Sequence, residues 1–99
     1  MKLIEATLHC KNAWSQYAER NNIHRDDEFY FLKMQEELGE LTRSFLEIRG
    51  SEAKSKSSKA ELQRKLEGDV TSLVGNALIL ADYFQVNLEK TLKEKFPVN

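Results

Sequence analysis

The apolar residues of this chain recur at spacings of three and four residues over three long segments and one short one, which is the period of amphipathic helices. The first predicted helix runs from residue 3 to about residue 20, and its apolar positions are Ile4, Leu8, Trp14, Tyr17 and Ala18. The polar stretch NNIHRDD follows it. Asp26 or Asp27 is expected to cap the second helix, because a short acidic side chain accepts hydrogen bonds from unpaired N–H groups at a helix start.

The second predicted helix carries a narrow apolar stripe. Its members, spaced alternately four and three residues apart, are Met34, Leu38, Leu41, Phe45 and Ile48. Gly50 is the expected C-terminal stop. Residues 51–59, SEAKSKSSK, contain no large apolar side chain and cannot bury enough surface to offset the entropy of ordering them. A mobile loop is therefore predicted there.

The third predicted helix, from about Ala60 to about Phe84, has an unusually wide apolar surface. One stripe consists of Leu62, Leu66, Val70, Leu73, Ala77, Leu80 and Phe84, and Val74, Leu78 and Ala81 widen it. Such a helix needs cover on several sides. Asn87 is expected to cap a short fourth helix, which Pro97 closes. Because four helices cannot easily cover the third one, we expect a homodimer, or a dimer of dimers, with this helix and its residues from Leu66 through Val74 to Leu78 in the interface.

Length and composition support one all-helical domain over residues 1–99. A chain of 99 residues is too short for two independent cores, and 40% apolar with 31% charged residues is typical of a folded protein. One Pro and four Gly are too few for a fold built from many tight turns.

The charge balance argues against two classes of partner. A formal net charge of -1 provides no concentrated positive surface for nucleic acid or an anionic membrane. Cys10 is the single cysteine, so no internal disulfide is expected. The start of the chain lacks a signal-peptide pattern, and the longest uncharged run is too short for a membrane span. We expect a cytoplasmic protein.

Acidic residues lie close to the apolar stripe of the second helix. Relative to Met34, helical rotation places Glu37 about 60° away, Glu40 about 120° away and Glu36 nearly opposite. Glu37 and Glu40 are therefore about one turn apart on the same face, where they are close enough to share a divalent cation. The simpler interpretation is that all three acids are solvated on a helix surface.

Asp69 has a similar position on the third helix, about 60° from Leu66 at the edge of the stripe. A carboxylate there requires a counter-charge. The candidates are Lys65 four residues earlier, a group from another part of the chain, or a metal ion. Asn76 adds a second polar group on the same flank.

Four segments together indicate a known family. They are WSQYAERNNI (14–23), FLKMQEELGELTRSF (31–45), LEGDV (66–70) and LADYFQVNLEKTLKEKF (80–96). They resemble the MazG-type all-alpha nucleotide pyrophosphohydrolases over nearly the whole chain. That family has two Glu residues three apart on one helix, followed by a Glu and an Asp three apart on the next. Glu37 and Glu40 match the first pair and Asp69 matches the final Asp, whereas Leu66 stands in place of the remaining Glu.

The resemblance implies a four-helix bundle-like fold completed by dimerisation, and hydrolysis of a (deoxy)nucleoside triphosphate to the monophosphate and pyrophosphate. Glu37, Glu40 and Asp69 would be the catalytic residues and the ligands of Mg²⁺, or of Mn²⁺ in its place. Glu67 is the nearest acid to the missing Glu. It is about 200° around a regular helix from Asp69, so Glu67 is a further metal ligand only if the helix is distorted, which Gly68 would permit. Without that distortion, three carboxylates rather than four are expected to face one cation.

The resemblance also implies substrate contacts outside the carboxylates. Lys95 and Asn99 stand four residues apart, like a phosphate-contacting Lys and a sugar-contacting Asn of many members. Asn76 is a further candidate. Trp14, Tyr30 and Phe31 are candidates for stacking on a base, although aromatic residues at helical spacing are also typical of a core.

Two other functions remain open. The phosphoribosyl-ATP pyrophosphohydrolases share the helical plan but match the GEL block and the closing helix less well. The non-enzymatic alternative is a catalytically impaired MazG-like dimer that binds nucleotide or metal, or serves as an interaction module. The reason for considering it is Leu66, which stands in place of the family's Glu.

Overall fold

A computed structural model describes residues 1–50 and 57–99, and every regular element in these two ranges is a helix. The four helices are α1 (Leu3–Asn21), α2 (Asp27–Arg49), α3 (Lys59–Tyr83) and α4 (Leu88–Lys95). The predictions of an all-α fold and of these four helices are confirmed. Most of the predicted loop, residues 51–56, lies outside the described residues. None of the described helices combines the length and the apolar character needed to cross a membrane.

Local capping fixes the helix ends. The Asp26 carboxylate accepts a hydrogen bond from the Phe29 N–H at 2.9 Å, so Asp26 rather than Asp27 caps α2. Asn87 caps α4 in the same way through the Lys90 N–H at 3.1 Å. Gly50 ends α2 with a φ of 69°, a left-handed conformation that glycine adopts without a Cβ clash.

Helix α3 is the central element, because α1 and α2 both pack against it. Two cross-helix contacts, Ser44 with Asp69 and Glu47 with Lys65, show that α2 and α3 are antiparallel. Helix α1 is joined to α3 by an ion pair of 2.8 Å between Lys11 and Asp82.

Aromatic rings link the three long helices at the end where α2 begins and α3 ends. Trp14 of α1 meets Phe29 of α2 edge-on, with ring centroids 5.7 Å apart. Tyr30 of α2 and Tyr83 of α3 lie 4.5 Å apart, centroid to centroid. Edge-on and tilted ring pairs add specific attraction to the area they bury. This cluster therefore holds the start of α2 against both of its neighbours.

The apolar core is small for a chain of this length. Among the described residues the buried apolar side chains are Ala18, Leu78 and Ile79. The radius of gyration is 16.0 Å, whereas a compact domain of this length has about 13 Å. Leu78, which we expected in a dimer interface, is buried inside the single chain.

The predicted core stripe of α2 is wrong in its rotation. Leu38 and Phe45 are 54% and 48% exposed, whereas Glu37 and Ser44 are buried. Glu37 and Ser44 are seven residues apart and share one face of the helix, about 60° to one side of the predicted stripe. The physical reason is that α3 packs against that side of α2, where Ser44 contacts Asp69. This arrangement leaves Met34 and Leu41 half-buried, and Leu38 and Phe45 exposed.

Candidate functional site

The site begins with Glu37, a carboxylate almost entirely withdrawn from water. It is 7% exposed, and its nearest cation is Lys33, one turn earlier on α2, whose Nζ lies 3.6 Å from Glu37 Oε1. A buried charge without such a partner is strongly destabilising. The sequence placed Glu37 at the edge of the core, and the structure buries it more deeply.

Lys33 connects this acid to an aromatic surface. Its ammonium lies 3.2 Å from Glu36 Oε1 and 5.2 Å from the centroid of the Trp14 ring. A cation above an indole face is attracted by the negative charge density of the ring. Sequence reasoning missed Lys33. The signal was its spacing of four residues from Glu37.

Beside Lys33 is an open cavity of about 300 Å³ lined by Ala13, Trp14, Tyr17 and Lys33. Of the three aromatic residues predicted to stack on a base, Trp14 alone lines this cavity. Tyr30 and Phe31 instead contact Tyr83 and Phe84 at the end of α3.

The second half of the site is Asp69 on α3. Its Oδ2 accepts a hydrogen bond from the hydroxyl of Ser44, which is 1% exposed. Sequence reasoning missed Ser44 as well, although it lies seven residues after Glu37 on the same face. Asp69 is half-buried and forms no ion pair with any residue in the described ranges.

The expected local pair between Lys65 and Asp69 is absent. Lys65 Nζ instead lies 2.8 Å from Glu47 Oε1, across the contact between α2 and α3. Glu47 is the more protected residue of this pair, since its side chain is 17% exposed and that of Lys65 is 47% exposed. The simpler interpretation of Asp69, as the partner of its own helical neighbour, is therefore wrong.

The other acidic and amide residues predicted on α2 and α3 are exposed or form hydrogen bonds within their own helix. Glu36 and Glu40 are exposed on α2. Glu67 is exposed and accepts a hydrogen bond of 3.3 Å from Gln63. Asn76 is half-buried, and its Nδ2 donates to the carbonyl of Ser72 in its own helix at 2.8 Å.

Lys95 and Asn99 lie at the far end of the chain. Lys95 is exposed at the last position of α4, and Asn99 is exposed beyond it. No hydrogen bond or ion pair within the described ranges joins either residue to Glu37, Glu40 or Asp69. The structure thus brings Glu37 together with Lys33, and Asp69 together with Ser44, without adding the C-terminal pair.

The antiparallel register explains how the acids are spaced. Asp69 is level with Ser44, which is seven residues and therefore roughly 10 Å along α2 from Glu37. Within residues 1–50 and 57–99, no group of three or more His, Cys, Asp or Glu side chains lies close enough together to hold a metal ion. Carboxylate oxygens are the kind of ligand that Mg²⁺ prefers, but in this structure Glu37 and Asp69 are too far apart along α2 to bind one ion together.

Comparison of the chain with protein-family models, curated proteins and solved structures gives no match. The likeness to the MazG-type enzymes therefore rests on the residues quoted above.

Proposed function

We propose that this protein is a cytoplasmic Mg²⁺-dependent nucleoside triphosphate pyrophosphohydrolase of the MazG type. The observation that carries the proposal is the pair of protected carboxylates on adjacent helices, Glu37 on α2 and Asp69 on α3. Asp69 in particular has a charge that no ion pair in the described part of the chain neutralises. The Asp69 carboxylate is half-buried and accepts a hydrogen bond from Ser44, so a bound cation would neutralise a charge that this bond compensates only in part.

Each acid has a defined part in the proposal. By the resemblance, Glu37 and Glu40, one turn apart on α2, and Asp69 on α3 are the proposed ligands, although the structure does not bring Glu37 and Asp69 close enough to share one ion directly. Mg²⁺ or Mn²⁺ bound there would neutralise the triphosphate and lower the pKa of a coordinated water. One Glu would also accept the proton of the water whose oxygen attacks between the α- and β-phosphates. The water oxygen would bond to one of the two phosphorus atoms that share this bridging oxygen, and the bond from that phosphorus to the bridging oxygen would break. The products would be the nucleoside monophosphate and pyrophosphate.

The aromatic cavity is the proposed place for the base. Trp14 offers a flat surface beside an open volume of about 300 Å³, and stacking on an aromatic side chain stabilises any nucleobase. Lys33, at the rim of the cavity and one turn from Glu37, places a positive charge between base and acids. Lys95, Asn99 and Asn76 remain proposed contacts to phosphate and sugar, whereas Glu67 is left outside the ligand set because it is exposed and bonded to Gln63.

We also propose that the working unit is a dimer, with a second copy of this chain on the outer apolar face. This face consists of Leu38 and Phe45 of α2 and Val70 and Val74 of α3, each at least 42% exposed. An apolar cavity of about 490 Å³ opens between α2 and α3 next to it. A second copy would add the core that a single chain lacks, and two-fold contacts between identical faces are the commonest form of assembly.

The second candidate is a MazG-like dimer that binds nucleotide or metal without hydrolysing it, or that serves as an interaction module. Two observations favour it. Leu66 occupies the position of the fourth acid, and the acids in the described ranges do not form a three-residue metal group, which favours the nucleotide-binding or interaction form of this candidate over a metal-binding one. In this alternative, Glu37 is held by Lys33 and Asp69 by Ser44 for structural reasons alone.

One experiment separates the two candidates. Purified protein at high concentration is incubated with Mg²⁺ or Mn²⁺ and a panel of canonical and modified nucleoside triphosphates, and the products are separated by anion-exchange chromatography. The enzyme predicts release of pyrophosphate and monophosphate from at least one nucleotide, and loss of that release in Glu37→Gln. If every nucleotide stays intact, the enzymatic proposal is wrong and the binding module stands.

A further inference from the structure

Helix α4 presents an apolar stripe that its own chain leaves largely uncovered. The stripe consists of Leu88, Leu92 and Phe96, which recur every four residues along one side of the helix. Leu88 is half-buried where α4 begins beside Ile4 of α1, but Leu92 is 42% exposed and Phe96 is 65% exposed. Among the described helices, none packs closely against α4. Because so short a helix is marginal on its own in water, the α4 stripe needs a partner.

A second uncovered apolar surface lies near the start of α2, and its rim is acidic. Phe31 and Leu32 are 54% and 62% exposed, and they line an open cavity of about 260 Å³ together with Asp27 and Glu28. We call these four residues the α2-start surface. Phe31 also meets Phe84 of α3, with ring centroids 5.6 Å apart, so the surface is held from two helices. Neither acid forms an ion pair with a residue in the described ranges.

The α4 stripe and the α2-start surface are complementary in charge as well as in apolar character. Lys95 lies in the last turn of α4, seven residues after Leu88 and therefore on nearly the same line of the helix. It forms no ion pair within the part of the chain that the structure describes. An ammonium group beside one apolar surface thus matches two carboxylates beside the other, and such complementarity fixes how two surfaces meet.

We propose that the α4 stripe of one copy of this chain docks on the α2-start surface of a second copy, where Lys95 faces Glu28. The inference rests on the proposed dimer and not on the proposed chemistry. In a two-fold dimer the contact occurs twice, because α4 of each copy lies on α2 of the other. The ends of the two copies at which α2 begins therefore lie together.

A second copy is the occupant because the α2-start surface is continuous with the outer apolar face. Phe31, Leu38 and Phe45 follow one another at intervals of seven residues, which places them on nearly one line along α2. A copy that covers Leu38 and Phe45 therefore borders Phe31 as well. The same copy brings its own α4, whose uncovered stripe and C-terminal lysines fit the apolar and acidic parts of this surface. In its own chain, α4 begins beside α1 instead.

The test is the dissociation constant of the dimer in sedimentation equilibrium, measured without nucleotide so that the proposed contact of Lys95 to phosphate plays no part. Glu28→Lys and Lys95→Glu should each weaken the dimer about 10-fold, because each reversal replaces attraction by repulsion at two exposed contacts. An equimolar mixture of the two variants should dimerise with wild-type affinity. In the mixed dimer, one contact keeps both native charges and the other has both reversed, so both contacts remain attractive.

Matched controls reverse the same charges at other positions. Glu5→Lys changes the acid in the first turn of α1, and Lys90→Glu changes an exposed lysine on the opposite side of α4 from the stripe. Both should leave the dissociation constant unchanged, and circular dichroism checks that every variant is folded. Should Glu28→Lys not fold, Glu28→Gln removes the charge without reversing it and should still weaken the dimer, whereas an unchanged dissociation constant would overturn the inference.

The outcomes separate the inference from the dimer on which it rests. If the wild-type protein dimerises and neither charge reversal weakens the dimer, the second copy binds through the outer apolar face alone and the inference is wrong. If both reversals weaken the dimer but their mixture does not restore it, Lys95 and Glu28 do not meet between copies, and the inference is wrong as well. A monomeric wild-type protein would contradict both the dimer and the inference.

Discussion

Lys65 reaches across from α3 to Glu47 of α2, with its Nζ 2.8 Å from Glu47 Oε1, and so leaves Asp69 without its helical neighbour as a counter-ion. The Lys65 side chain is 47% exposed, and ion pairs of this kind contribute about 0–1 kcal/mol to the free energy of unfolding. This ion pair matters for the relative position of the two helices rather than for the free energy of unfolding. It fixes the register of α2 against α3 one turn beyond the contact between Ser44 and Asp69.

Replacing Lys65 with Met therefore tests whether Asp69 depends on it. We expect the free energy of unfolding, measured by urea denaturation, to fall by less than about 1 kcal/mol. Mn²⁺ affinity should stay the same, because Lys65 is paired with Glu47 and not with Asp69. A large increase in Mn²⁺ affinity would mean that Lys65 competes with the cation for Asp69, contrary to the observed pairing.

Replacing Lys33 with Met should have a larger effect on stability. Glu37 would keep its burial and lose its counter-ion, and a buried polar group left without a partner costs about 1–3 kcal/mol, or more when it is charged. Urea denaturation measures the loss. Trp14 is the single tryptophan, so its emission should also change when the ammonium 5.2 Å from its ring centroid is removed.

The matched control for this variant is Lys93→Met. Lys93 also pairs with a Glu four residues away, but its side chain is 78% exposed and its partner Glu89 is 74% exposed. Stability and Trp14 emission should remain at their wild-type values. If both lysine variants behave alike, burial of Glu37 is not what gives Lys33 its importance.

Leu66→Glu tests whether the site has merely lost one acid. If Asp69 belongs to a cation site, an added carboxylate three residues earlier, on the same face of α3, should strengthen Mn²⁺ binding measured by electron paramagnetic resonance. Glu67→Gln is the control, because Glu67 is exposed and bonded to Gln63, and its removal should change nothing. Unchanged binding in Leu66→Glu would favour a structural role for Asp69.

The helix boundaries could be predicted from sequence because the determinants are local. Asp26, Gly50 and Asn87 act on backbone groups within a few residues. Their types and positions in the sequence were therefore sufficient to predict where these helices begin or end. The buried face of α2 could not be predicted in the same way. Its most apolar line is the obvious candidate for the core, but the side that is buried depends on where α3 lies.

The same distinction, between local determinants and contacts between helices, applies to the residues of the candidate site. Glu37 could be identified, since its angle to the apolar stripe is a property of one helix. The partner of Asp69 could not, because Ser44 is 25 residues away and joins it only through the register of two helices. Lys65 shows the converse case. Its spacing of four residues from Asp69 favours a local ion pair, but it pairs with Glu47 of the neighbouring helix instead.

Val74 and Leu78 provide the final prediction, since both were expected in one interface and the structure separates them. Val74 is 53% exposed on the outer apolar face, whereas Leu78 is 7% exposed in the core. If a second copy covers that face, Val74→Glu should yield folded monomers in sedimentation equilibrium, because a charge cannot be buried in the apolar contact without a partner. Leu78→Ala should remain dimeric and lose about 2–5 kcal/mol of unfolding free energy from the cavity it leaves. Thr71→Glu adds the same charge at an exposed polar position of α3 and should change neither property. A wild-type protein that sediments as an 11.5 kDa monomer at micromolar concentration would contradict the dimer, and a dimeric Val74→Glu variant would move the interface to another face.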